Sequence, residues 1–172
     1  MPQATKQRAE VYRFSPLVFW LAFLFAFLIQ GLIPARFPFG HVFDLPLIML
    51  IYFSANRSSK VYGIFLGAGV GILQDALSSH AYIGLLGMAK AVVGYLAPTI
   101  AVRVNLNQAV PRTILTGVLV LLHSAIFLTL ERTLLENPNP FIPVSFLNSV
   151  LVNTSLGIFL FPLLNSVRKE AW

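Results

Sequence analysis

Six apolar runs recur along this chain, and none of them carries the polar face that a water-soluble helix needs. They cover roughly 17–35, 42–54, 61–75, 82–102, 110–130 and 144–164. Of the 172 residues 57% are hydrophobic and only 10% charged, with a mean hydropathy of +0.79. A soluble domain carries about 25% charged residues, so lipid must be the solvent for much of this surface. The expectation is an all-α polytopic membrane protein with six transmembrane helices. It divides into a cytoplasmic N-terminal tail over 1–16, a transmembrane domain over 17–164 and a cytoplasmic C-terminal tail over 165–172.

The second and third runs are short against the ~20 residues that a bilayer core demands. They are expected to extend into their flanks or to have their ends covered by protein. Pro46 suits a first helical turn, whereas Pro98 and Pro162, near the far ends of their runs, should bend or end them. The first run follows a basic tail without a small-residue cleavage pattern, and reads as a retained helix rather than a signal peptide.

The formal charge of +6 does not form a nucleic-acid patch, because the lysines and arginines stand singly between apolar runs. Their placement orients the chain instead. Lys6, Arg8, Arg13, Arg57, Lys60, Arg103, Arg112, Arg168 and Lys169 fall on one side; only Arg36 and Arg132 fall on the other, and Lys90 lies inside a run. The positive-inside rule puts both termini in the cytoplasm. Asp44, Asp75, Glu131 and Glu136 then lie toward the outer side. Short loops leave no room for an extramembrane domain. The absence of cysteine removes disulfides and thiolate metal sites.

Within the third run Gly63, Gly67 and Gly71 recur at every fourth position, and Asp75 takes the next place. Such a ladder lets a second backbone approach closely, either within this chain or from a partner protein. The fourth run offers a matching face, since Gly84, Gly87, Ala91 and Gly94 fall within about 80° of one another at 100° per residue. Runs three and four are therefore expected to form a tight hairpin whose turn, residues 75–81, lies at the outer face.

Lys90 is the costliest residue, an ammonium about 12 Å from the outer end of its helix at 1.5 Å per residue. Asp75 is the nearest anion by this topology, so a structural Asp75–Lys90 pair is expected ahead of an ion relay or a snorkelled lysine. Gln30, Gln74, His123, Asn148, Asn153 and Thr154 are further polar groups suited to hydrogen bonds between helices. His123 reads as a packing histidine rather than a metal ligand, because His41 and His80 are too distant in topology to join it. No HExxH, GxSxG, P-loop or Rossmann pattern occurs, and GAGVG at 67–71 lies inside an apolar helix without the lysine of a nucleotide loop. No cofactor, metal or catalytic residue is expected.

Residues 63–95 resemble the signature region of the bacterial rod shape-determining protein MreD family. The resemblance rests on Gly71-Ile72-Leu73-Gln74-Asp75, a short polar turn, Ile83-Gly84 and Gly94-Tyr95, with Phe43-Asp44-Leu45-Pro46 as an altered form of the string that opens the second span. It implies a non-enzymatic inner-membrane subunit of the elongation complex, bound to the bitopic protein MreC. MreB, RodA and the transpeptidase partner of RodA would be its further associates, and sidewall peptidoglycan synthesis its field of action. It also implies a fold similar to the S component of energy-coupling-factor vitamin transporters, and with it the alternative of a small-molecule uptake component. A proton- or ion-coupled transporter would rest on Asp75, Lys90 and His123 alone. The resemblance carries no role over to Lys90.

Overall fold

In the computed structural model the chain is described over residues 16–36, 42–57, 59–78, 83–104, 106–136, 138 and 140–166. These residues form α1 (Pro16–Arg36), α2 (Leu45–Ala55), α3 (Lys60–Leu77), α4 (Leu85–Ala101), α5 (Ala109–Leu134) and α6 (Pro143–Ser166). Lys6, Arg8, Arg13, His41, His80, Arg168 and Lys169 lie outside the described residues, as do most of the two expected tails and of the turn between α3 and α4. Pro16, Asn165 and Ser166, assigned to tails above, belong to helices.

Local chemistry explains where the helices start. The Asp44 carboxylate accepts from the Leu47 N–H at 3.0 Å and Pro46 occupies the first turn, so α2 opens with a capped end and a preset backbone. Ser59 caps α3 in the same way, accepting from the Tyr62 N–H at 3.2 Å. The start of α4 is Gly84, which stands at φ 113°, a conformation that glycine adopts without steric cost. Neither Pro98 nor Pro162 ends its helix: α4 continues to Ala101 and α6 to Ser166.

The helices are arranged around α2. Every residue of α2 from Leu45 to Ser54 is buried, and the helix touches all five others. This resolves the shortness of the second run. An 11-residue helix rises only about 17 Å, but its walls are protein throughout. Helix α1 leans on α2 through rings, with Phe19 and Phe23 centred 4.9 and 5.6 Å from Phe53. The tightest pairing is α3 with α4. Helices α5 and α6 complete the circuit, the Thr116 side chain lying against Gly157 and that of Thr154 against Gly117.

Two helices, α5 with 26 residues and α6 with 24, are long and apolar enough to cross a membrane; α1, α2 and α4 are apolar over shorter lengths. Most of α5 and α6 is not covered by the rest of the protein. Ile114, Val118 and Leu121 of α5 and Leu147, Leu151 and Phe159 of α6 are exposed. Water would oppose so much bare apolar area on adjacent helices, and lipid would not. The described chain is an all-α, six-helix bundle associated with a membrane.

Candidate functional site

The glycine ladder sets the register of the α3–α4 hairpin. Gly63 and Gly94 meet backbone to backbone, Gly67 lies on the carbonyl of Lys90, and Gly71 lies on Leu86 and Gly87. A Cβ on any of these three α3 glycines would enter the backbone of α4, whereas one on Gly69 would meet nothing within 4 Å. Gly87 is closed in by the Ile72 side chain. Gly84 differs from the others. A Cβ there would meet nothing within 4 Å, and what it contributes is a left-handed backbone at the helix start rather than a close helix contact.

That register separates Asp75 from Lys90 and overturns the expected pair. Gly67 stands level with Lys90, so Asp75, eight residues further along α3, stands roughly 12 Å above it. Asp75 faces the first turn of α4 instead. Its Oδ2 accepts from the N–H of Gly84 at 2.8 Å and from the N–H of Leu86 at 3.1 Å. A buried carboxylate thus satisfies orphan donors of the next helix and meets the positive end of its dipole. Asp75→Ala is expected to cost about 1–3 kcal/mol of stability, because both donors would lose their acceptor. Asp75→Asn, which keeps an acceptor oxygen, should cost less. Denaturant titration of the detergent-solubilised chain measures both; an alanine variant as stable as the parent would show that the cap contributes nothing.

The anion that Lys90 finds is Asp44. The ammonium donates to Asp44 Oδ1 at 2.6 Å and Oδ2 at 2.8 Å, and to Gln74 Oε1 at 2.5 Å. Three N–H donors meet three acceptors at a side chain with no solvent exposure. Asp44 is held in turn from both sides. The Asn153 side chain accepts from the Asp44 N–H at 2.7 Å and donates to the Val42 carbonyl at 2.9 Å. Gln30 accepts from the Leu45 N–H at 3.2 Å and donates to the Phe43 carbonyl at 2.7 Å. Ser149 adds a bond to the Val42 carbonyl at 3.3 Å. One connected network therefore joins α1, the start of α2, α3, α4 and α6.

Helix α5 contributes His123, which is buried and stacked on Phe127 with centroids 6.5 Å apart. It lies within electrostatic reach of Lys90 and Asp44, but its Nε2 has no hydrogen-bond partner among the described residues. The expected hydrogen-bonded packing role is thus half met: the ring packs and Nε2 is unbonded.

Sequence reasoning missed Asp44 as the partner of Lys90. The sequence makes Asp44 a second candidate at the same end as Asp75, and an aspartate before Leu45-Pro46 reads as a helix cap, but residue order does not rank the two. Chemically the network holds helices together. The lysine is saturated by its acceptors, so it has no free lone pair or open donor for a reaction. Among the described residues no group of three or more His, Asp or Glu could hold a metal ion.

Fold and network together define a helical, membrane-associated protein whose buried charge is bound up in packing. The chain belongs to the rod shape-determining protein MreD family, whose model matches residues 12–167. Members of that family are non-catalytic. No curated protein and no solved structure matches the chain.

Proposed function

We propose that this chain is the multi-pass inner-membrane subunit of the bacterial elongation complex, binding an MreC-like bitopic protein and helping to position or regulate sidewall peptidoglycan synthesis. The observation that carries this reading is the family match over 12–167, which takes in all six helices. MreB, RodA and the transpeptidase partner of RodA are its proposed associates. The saturated state of Lys90 agrees with a scaffold, because a transport relay needs a group free to change partners.

The proposed topology has six crossings with both termini in the cytoplasm, resting on nine basic residues on one side against two on the other. The chain has no cysteine, so single replacements report cleanly. Cysteine at Ala76 or Asn137 should react with an impermeant thiol reagent applied outside. Cysteine at Ala4, Ser58, Asn107 or Glu170 should not, and outside labelling at Asn107 or Glu170 would reverse the topology.

Co-purification after mild detergent extraction tests the function. Recovery of an MreC-like bitopic protein with the full chain is the expected result. Recovery of an ATPase-driven transmembrane subunit in its place would establish the uptake component, the reading that a fold similar to an energy-coupling-factor S component would bring.

A further inference from the structure

The end of the bundle opposite the Lys90 network carries Arg57, Lys60, Arg103 and Arg112. Every carboxylate among the described residues, Asp44, Asp75, Glu131 and Glu136, belongs to the other end. Three of these four cations rest on aromatic faces instead. Arg57 lies 4.2 Å from the Tyr62 ring centroid, Lys60 5.5 Å from that of Tyr95, and Arg112 5.8 Å from that of Phe161. A ring face attracts a cation but accepts no conventional N–H hydrogen bond in the way an oxyanion does.

Arg112 is the exceptional member. It is 8% exposed, and its Nε is buried without a hydrogen-bond partner. That Nε is an unfulfilled donor, and Arg112 stands in the first turn of α5. That turn has no acidic residue, and its cap, Gln108, makes no side-chain hydrogen bond to the N–H groups there. Helical side chains lean toward the N-terminus, which brings the Arg112 fork to the same end as those donors. The positive end of a 26-residue helix dipole adds to the charge.

From this arrangement we infer that the N-terminus of α5 and Arg112 form a binding site for a phosphate group. A tetrahedral oxyanion matches both the guanidinium fork and the helix donors. The α6 residue Phe161 closes the apolar side. This site is separate from the Lys90 network and independent of which partner the protein scaffolds. Two sources share the chemistry, an anionic phospholipid headgroup and free phosphate.

Calorimetric titration of the full chain in an uncharged detergent tests the site, with dihexanoyl phosphatidylglycerol and inorganic phosphate as separate probes. One equivalent of saturable binding is expected, weakened roughly tenfold or more in Arg112→Gln and unchanged in Arg132→Gln at the far end of α5. Binding of the lipid alone assigns the site to a headgroup; binding of both probes assigns it to the phosphate itself. Should Arg112→Gln fail to fold, Arg112→Lys keeps the charge but loses the fork, and should still weaken binding about threefold or more. No saturable binding of either probe would overturn the site. So would equal affinity in the Arg112 variants, or equal weakening by Arg132→Gln.

Discussion

Gly67→Leu should abolish the folded α3–α4 hairpin, the largest effect expected of any single change in this chain. Its Cβ alone would penetrate the backbone of α4 at Lys90, and backbone has no rotamer into which to retreat. Overpacking of a side-chain contact costs about 1–3 kcal/mol, and a backbone collision that levers two helices apart should exceed that range. The damage would spread, because α4 also carries Lys90 into the polar network. Gly71→Leu should behave alike, with Leu86 and Gly87 as the obstructing backbone. Gly69→Leu is the internal control. Its position is exposed and open, so an added side chain should change stability by less than about 0.5 kcal/mol. Yield of monodisperse protein and the midpoint of a denaturant titration distinguish the three. Equal loss at Gly67 and Gly69 would mean that the close contact does not govern the hairpin.

The second large effect is expected at Lys90. Lys90→Met removes the cation and leaves the Asp44 carboxylate without its partner, an imbalance worth about 3–5 kcal/mol at a buried pair. Asp44→Asn is a suitable second change because asparagine still caps α2, so the charge is tested apart from the cap. Together the two changes should cost less than their sum, with a coupling of about 0.5–3 kcal/mol. The same cycle run with Asp75→Asn should give a clearly smaller coupling, since Asp75 bonds the start of α4 and reaches Lys90 only through space. A larger coupling for Asp75 than for Asp44 would reverse the assignment of partners.

Much of the architecture was readable from residue order alone. Runs of apolar residues fixed the six helices to within a few positions, and the spacing of Gly63, Gly67 and Gly71 named the face on which α4 lies. The partner of Lys90 was not readable, for a reason of depth. Sequence topology places Asp44 and Asp75 at the same end and cannot rank two acids by height until the hairpin register is known. That register follows from Gly67 resting on Lys90, a contact between backbones that leaves no mark in either side chain. Gly84 was misjudged because a glycine in a ladder and a glycine at φ 113° look identical in a sequence. Pro98 and Pro162 do not end their helices, because a helix can run on past a proline near its end. Asn153 and Gln30 were recognisable as polar groups in apolar runs, yet nothing in their spacing announced that both would grip the segment before α2.

The enclosure of α2 bears on how such a chain is made. As a segment leaving an insertion machinery, Leu45–Ala55 reaches about half of the ~30 Å of hydrocarbon, and the aspartate at its head would be drawn into lipid. Such a segment is a poor resident of a bilayer by itself. Its neighbours differ: α5 and α6 are long enough to span a bilayer, and α3 and α4 pack on each other through glycine. The stability of α2 therefore depends on the five helices that enclose it. The buried salt bridge of Lys90 with Asp44 forms only once α4 meets the start of α2.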